Sequence, residues 1–192
     1  MARALADWSG RAVIRGEGVV LRATEPGDAE SIARWFNDPE VRRYMGARFP
    51  GSLVDQRRRL ESRSDPEKRL GLCIDTLDGR TIGICSLHRD DAEGHNAGLG
   101  IMIGEKDCWS KGYGTDATLT LCCFGFRQMD LHRIRLDVYT FNERAIRSYE
   151  KCGFRRDAVQ RDAYYKHGEY LDVLIMAILA DEFREKWPER SG

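Results

Sequence analysis

Residues 111–115, Lys-Gly-Tyr-Gly-Thr, place two glycines at the start of an amphipathic run. Apolar residues recur at helical spacing behind them, and an apolar run typical of a strand, residues 97–104, precedes them. The backbone N–H groups in the first turn of a helix point outward, and glycine lets a ligand approach them closely. The pattern therefore predicts an anion-binding site between this strand and this helix.

The glycine turn is compatible with more than one function. It can serve only as a tight turn into a helix. It can also be a dinucleotide site, because residues 112–117 fit G-x-G-x-x-A and Asp137 follows near the spacing of a ribose-binding acid. That motif needs a strand that turns almost directly into its glycines, whereas residues 104–111 intervene here. A nucleotide P-loop is excluded because no G-x-x-x-x-G-K-[ST] occurs.

The runs around this turn follow an order typical of an α+β fold. A strand at 19–23 leads to a helix that begins at Pro26 and ends before Asp38 and Pro39. The strand 97–104 continues through the glycine-turn helix to a strand at 133–139, which is the one parallel crossover. The other predicted elements are helices at 52–63, 143–152 and near Trp187, and strands at 70–76, 81–87, 154–165 and 170–179, with Asp78-Gly79 as a hairpin turn.

Asn142 and Gly153 enclose the short helix at 143–152, the first as its N-cap and the second as its C-terminal glycine. Tyr149 falls on the apolar face of this helix. Taken by themselves, these residues predict a capped helix with a tyrosine packed in the core.

Length, charge and cysteine usage limit the class of protein. We expect one domain at 18–187, with a loose lead at 1–17 and a tail at 188–192. A formal net charge of zero argues against nucleic-acid binding, which depends on a broad basic surface. Six cysteines without a C-x-x-C pair predict no metal site and reduced core thiols, as in a cytoplasmic protein. No run approaches the ~20 apolar residues of a membrane span, so no membrane partner is expected.

Five motifs, taken together and in order, resemble the GNAT superfamily of N-acetyltransferases. Within it, the branch typified by ribosomal-protein alanine acetyltransferases (RimJ/RimL) is the most similar. Residues 21–22, 28–29 and 35–41 also resemble that branch, so the likeness extends over about residues 18–180. The five motifs are Leu99-Gly100-Ile101-Met102-Ile103-Gly104, Trp109-Ser110-Lys111-Gly112-Tyr113-Gly114-Thr115, Leu131-His132-Arg133, residues 142–154 and residues 168–173.

The resemblance implies the GNAT fold, a mixed, mostly antiparallel sheet of about seven strands flanked by helices and splayed at its fourth and fifth strands, 97–104 and 133–139. It also implies that the pantetheine arm of acetyl-CoA lies in the gap between them like an added strand. The implied coenzyme contacts are main-chain groups of Ile101, Met102 and Ile103, N–H groups of Lys111, Gly112, Tyr113, Gly114 and Thr115 around the pyrophosphate, and the side chains of Asn142 and Arg147.

The family counterpart of Tyr149 points at the coenzyme sulfur, which implies a general acid. Chemistry supports that role, because the departing thiolate resembles cysteine, with a pKa of ~8.5, whereas tyrosine at ~10 stays protonated and can donate.

The base is harder to assign, because an alkyl ammonium must lose a proton before it attacks a thioester. Related sequences often read Ala-Glu-Leu-Gly at the start of the fourth strand, but this chain has Ala97-Gly98-Leu99-Gly100. The expected carboxylate at position 98 is therefore missing. His88, Asp90, Glu93, His95 and a water chain remain as candidate proton acceptors.

The resemblance implies an N-acetyltransferase that transfers acetyl from acetyl-CoA to a primary amine by direct attack in a ternary complex. The acceptor is a protein N-terminus or a small molecule, and the lower pKa of an α-amine weakly favours that class. A homodimer is the family's common habit. Two alternatives stay open: a non-catalytic sensor or scaffold that binds acetyl-CoA, suggested by Gly98, and, more remotely, an NAD-binding oxidoreductase.

Overall fold

A computed structural model describes residues 13–46, 49–62, 65, 68–90, 95–166 and 168–191. Eight strands within these residues form one sheet in the order β1-β2-β3-β4-β5-β6-β8-β7. The strands are β1 (Val13–Arg15), β2 (Val19–Ala23), β3 (Arg69–Thr76), β4 (Thr81–Arg89), β5 (Asn96–Ile103), β6 (Arg133–Tyr139), β7 (Arg155–Lys166) and β8 (Glu169–Leu179).

Helices cover the two faces of this sheet. They are α1 (Ala29–Asn37), α2 (Pro39–Arg42), α3 (Leu53–Glu61), α4 (Tyr113–Gln128), α5 (Glu143–Cys152), α6 (Ala180–Lys186) and α7 (Pro188–Ser191). In the described ranges, none of them has both the length and the apolar character that a membrane span requires.

Two apolar clusters lie on opposite faces of the sheet. Leu99 belongs to the larger one, with residues of α4 and α6, whereas Met102 belongs to a smaller one with Ile32 and Trp35 of α1. Neighbouring side chains of a strand point to opposite faces of the sheet. The side chains at odd positions of β5, such as Leu99, therefore join the larger cluster, and Met102 joins the smaller one. The α+β fold with a mixed, mostly antiparallel sheet is thus confirmed.

The first helix ends before Asp38 as predicted, but three short elements were not predicted. The predicted loose lead contains β1, which pairs antiparallel with β2, so the sheet has eight strands rather than about seven. Asp38 and Pro39 end α1 but also begin α2, because the Asp38 side chain accepts from the N–H groups of Glu40 and Val41 and caps the new helix. The predicted tail contains α7. Each element is four residues or shorter, too short for a periodic pattern to reveal.

The start of α4 is anchored by a partly buried carboxylate. Asp116 accepts hydrogen bonds from the backbone N–H groups of Gly18 at 2.7 Å and Val19 at 3.1 Å, and from Arg190 of α7 at 3.3 Å. An acidic side chain in the first turn also interacts favourably with the helix dipole. The glycine turn before α4 is therefore fixed to both ends of the domain.

Strands β5 and β6 diverge after three residue pairs. They pair in parallel at Asn96 with Arg133, Ala97 with Ile134, and Gly98 with Arg135. β5 continues to Ile103 along β4, while β6 continues to Tyr139 along β8. The predicted splay therefore begins directly beyond Gly98.

Candidate active site

A cleft of about 1460 Å³ opens where β5 and β6 separate. One wall is β5 from Leu99 to Ile103, and the other is β6 from Asp137 to Tyr139 together with one face of α5. The cleft extends from the glycine turn at one end to the end of α3 and the start of β3 at the other. It has room for a long ligand that passes through the sheet and for a second molecule beside it.

The edge of β5 along this cleft is a backbone recognition surface. Alternate residues of an unpaired strand edge direct N–H and C=O groups outward, where an extended ligand can pair with them. Ile101, Met102 and Ile103, the residues predicted for this role, all line the cleft. One of these groups is already engaged, because the indole N–H of Trp109 donates to the carbonyl of Ile103 at 2.7 Å.

The glycine turn lies at the end of this edge. Gly112 is the N-cap residue of α4 with a φ of 89°, and no side chain caps the helix there. The first N–H groups of α4 are thus directed at the cleft, which Gly112, Gly114 and Thr115 line. The Thr115 hydroxyl lies 2.7 Å from the Ser148 hydroxyl and joins α4 to α5. Lys111 is exposed, and the side chain of Tyr113 packs against the core, so only their backbone groups fit the predicted role.

Replacing Gly112 with Ala is expected to destabilise the ligand-free protein by about 1–2 kcal/mol, because a side chain is strained at positive φ. Gly114→Ala is the matched control. A Cβ there would meet only the Ile103 side chain at 3.7 Å, an ordinary contact, and alanine favours a helix. Urea unfolding should separate the two variants, and equal loss of stability in both would contradict this account.

The segment between β5 and the glycine turn is held by Trp35. A Cβ at Gly104 would lie 2.1 Å from the Trp35 ring, so the backbone passes directly over the indole. The indole N–H donates to Glu105 at 2.9 Å, and Arg34 and Arg80 pair with the same carboxylate. Trp35 is only 1% exposed, so it positions this segment and does not shape an acceptor pocket.

Helix α5 presents a cationic face to the cleft. Asn142 caps the helix as predicted, accepting from the N–H of Ala145 at 3.3 Å, and also lines the cleft. Arg147 lines the cleft and pairs with Glu143 on the exposed side. Arg144 and Lys151 were missed, although their spacing of three and four residues from Arg147 places them on one helix face. The Arg144 guanidinium lies 4.3 Å from the centroid of the Trp109 ring.

Tyr149 of α5 also lines the cleft. Its ring contacts Phe154, with centroids 6.0 Å apart. Burial raises the pKa of the Tyr149 phenol well above its usual value, so the hydroxyl stays protonated and can donate.

Among the candidate bases, His88 stands next to the missing carboxylate. His88 of β4 pairs directly with Gly98, and a Cβ at Gly98 would lie 2.3 Å from the His88 Nε2. The imidazole therefore occupies the space where a side chain at position 98 would begin. Partial burial lowers the pKa of His88, and Arg69 and Arg135 lower it further against the opposing effects of Asp90 and Asp137. The neutral imidazole, which can accept a proton, is thus favoured near pH 7.

The other candidate bases have different surroundings. Asp90 forms a two-pronged ion pair with Arg135, at 2.8 and 3.0 Å. His95 lies with its Nδ1 2.6 Å from the carbonyl oxygen of Asp130, on the connection between α4 and β6. Glu93 lies outside the described residues. Of the three described candidates, His88 alone is in contact with Gly98 at the point of the splay.

An aromatic cluster borders the middle of the cleft. Tyr139 stacks on Phe141 with centroids 5.3 Å apart and meets Tyr164 edge to face at 5.6 Å. Tyr164 and Phe36 line the cleft, while Tyr165 packs outside it against Tyr170.

Comparison with known proteins agrees with this architecture. The family model described as an acetyltransferase (GNAT) domain matches residues 19–155. The uncharacterized N-acetyltransferase p20 of Bacillus licheniformis is 28% identical over 173 residues, covering 87% of this chain and 96% of that protein. The putative ribosomal N-acetyltransferase YdaF of Bacillus subtilis (strain 168) is 27% identical over 178 residues, covering 87% and 94% of the two chains.

Among solved structures, the spermidine N-acetyltransferase from Vibrio cholerae in complex with CoA and spermine superposes with a TM-score of 0.81. The identity is 23%, over 86% of this chain and 98% of that one. At this identity, the likeness shows a shared fold.

Proposed function

We propose that this chain, which belongs to the GNAT family of N-acetyltransferases, transfers acetyl from acetyl-CoA to a primary amine by direct attack within a ternary complex. The observation that carries the proposal is the continuity of the cleft. The splay between β5 and β6 leads without interruption into the glycine turn, so one extended ligand can contact both.

Each part of the cleft matches one part of acetyl-CoA. The edge of β5 from Leu99 to Ile103 binds the amides of the pantetheine arm by backbone pairing. The N–H groups at the start of α4 bind the pyrophosphate, which the helix dipole also favours. Asn142 and Arg147 contribute further contacts, and Arg144 and Lys151 add positive charge along the same face of α5.

Once the ammonium has released a proton to solvent, the reaction of the neutral amine needs one proton removed and one delivered. The amine nitrogen attacks the thioester carbonyl, with the oxyanion stabilised by N–H groups of β5. His88 accepts the proton that the amine loses as the C–N bond forms. Tyr149 then donates a proton to the sulfur as the C–S bond breaks. The products are the acetylated amine and free coenzyme A.

The relatives' names suggest two acceptor classes, since one is described as a putative ribosomal enzyme and one structure as a spermidine enzyme. We retain a cytoplasmic location and a homodimer as parts of the proposal; the resemblance to the RimJ/RimL branch does not by itself fix the acceptor. Strand β7, which pairs with β8 along one edge only and is exposed along nearly all of its length, is the surface we assign to dimer contact.

Isothermal titration with acetyl-CoA and NADH, followed by detection of free thiol with a panel of amines, tests the proposal. We expect acetyl-CoA to bind, NADH not to bind, and thiol release to depend on an amine. Binding of NADH without acetyl-CoA would refute the proposal. Binding of acetyl-CoA without turnover on any amine would favour a sensor instead.

A further inference from the structure

We infer that the acceptor amine carries an anionic group, a carboxylate or a phosphate, close to its amino group. This inference rests on the proposed function and specifies its substrate class. It comes from the row of residues that crosses the sheet beside His88 and from the charges at one end of the cleft. This end, formed by the end of α3 and the start of β3, is called the acceptor end.

Strand register places Arg69 beside the proposed base. Arg69 of β3 pairs with His88 of β4, and His88 pairs with Gly98 of β5. Residues directly opposite each other on neighbouring strands share a face, with Cβ atoms about 4.5–5.5 Å apart. Arg69, His88 and the open edge of the splay therefore follow one another along a single line across the sheet.

The next row on the same face leaves space for a small molecule. It consists of Gly71, Ser86 and Gly100, which pair in the same register and all line the cleft. A Cβ at Gly71 would meet nothing within 4 Å. These small residues form a groove floor next to Arg69 and His88, and we place the acceptor across the strands there.

The charges of the cleft divide into two groups. Arg144, Arg147 and Lys151 lie on α5, near the glycine turn, where the proposed function assigns them to the coenzyme. Two further cations, Arg59 and Arg69, line the opposite end, and neither has a carboxylate partner among the described residues.

One carboxylate lines the described part of the cleft, that of Asp137, and it is bonded to Arg135 at 3.3 Å. Among the described residues that line the acceptor end, cationic side chains therefore outnumber carboxylates. A polyamine, with two or more ammonium groups, would be repelled there. An amine with a nearby carboxylate or phosphate would pair with Arg69, and its nitrogen would lie at His88, where the thioester arrives. Arginine suits this role because its guanidinium binds either anion with two parallel hydrogen bonds.

Acetyl transfer to matched amines tests the inference. The panel contains L-amino acids, each beside its α-carboxamide, together with O-phosphoethanolamine, ethanolamine and spermidine. We expect the anionic amines to exceed their neutral counterparts at least tenfold in kcat/KM, and spermidine to be a poor acceptor. The acids and O-phosphoethanolamine together distinguish carboxylate from phosphate recognition.

Variants of Arg69 assign the preference to one side chain. Measured well above the pKa of His88, which Arg69 lowers, Arg69→Gln should raise KM for the anionic amines about tenfold and leave kcat and acetyl-CoA binding nearly unchanged, because it removes about one charged contact. Arg69→Lys should retain part of the preference, and Arg69→Glu should reverse it. Arg127→Gln, an exposed arginine on α4, is the control and should change nothing.

The two levels of proposal fail in different ways. Preference for spermidine or the carboxamides, or turnover of no anionic amine despite acetyl-CoA binding, would overturn the inference. A preference that persists unchanged in Arg69→Gln would overturn the role of Arg69. Failure of acetyl-CoA to bind would refute the proposed function, and this inference with it.

Discussion

Tyr149→Phe is expected to lower kcat by about 10²–10⁴-fold, the usual contribution of a positioned proton donor. The affinity for acetyl-CoA should change little, because the ring remains in place against Phe154 and only the hydroxyl is lost. Steady-state kinetics of thiol release, with acetyl-CoA binding measured by titration, checks both quantities.

The surroundings of Tyr149 keep its hydroxyl protonated over the working pH range. A thiolate resembles cysteine in basicity, with a pKa of about 8.5, so it takes a proton from a neighbour only if that neighbour still holds one. Burial raises the pKa of Tyr149 and keeps its hydroxyl protonated throughout the working range. The pH profile of kcat should therefore show no alkaline decline caused by Tyr149.

Tyr170→Phe is the matched control for this experiment, because Tyr170 is 66% exposed and outside the cleft. It should keep full activity. Unchanged kcat in Tyr149→Phe would refute the acid role, as would a fall in kcat that merely follows a loss of coenzyme binding.

The sequence predicted the long elements well, because each carries its own local signal. Strand β6 and helix α5 match their predicted bounds, and Asn142 caps α5 as its position before Glu143 indicated. The splay of the sheet followed from family resemblance, and the register of β5 with β6 confirms it. Short elements such as β1 have no such signal, and β1 is stabilised by pairing with β2.

Contacts between distant residues could not be read from the sequence. The close approach of Gly104 to Trp35 and the bond of Trp35 to Glu105, for example, join residues about 70 positions apart and place the indole beneath the loop. The position of His88 opposite Gly98 depends on how β4 and β5 are aligned with each other. No single residue type in the loop between the two strands fixes that alignment. Four candidate bases were therefore equivalent at the level of sequence.

His88→Gln is the second change with a large expected effect, a fall in kcat/KM of about 10²-fold or more, because the amine then loses its proton acceptor. In the unmodified protein, activity should decline as the pH falls through the pKa of His88, since only the neutral imidazole accepts a proton. Partial burial lowers that pKa, as do Arg69 and Arg135, against the opposing effects of Asp90 and Asp137. The midpoint of this decline, the acid limb of the pH profile, should therefore lie below the usual histidine pKa of about 6.5.

A pair of exchanges separates the role of His88 as a base from a purely structural one. Gly98→Glu alone should impair the enzyme, because its Cβ would lie 2.3 Å from the His88 Nε2. Combined with His88→Ala, the same glutamate gains the vacated space and should recover much of the activity lost in His88→Ala alone. Since a glutamate titrates near pKa 4.3, the acid limb of the double variant should move to lower pH.

The His95→Gln variant is the control, because His95 lies at the connection between α4 and β6, away from Gly98. It should retain the acid limb of the unmodified protein. If His88→Gln also keeps full activity and the same limb, the proton leaves through water and His88 only fills the space above Gly98. If the double variant recovers activity with a displaced limb, a base is required at this point of the splay, and the imidazole of β4 replaces the carboxylate that β5 lacks.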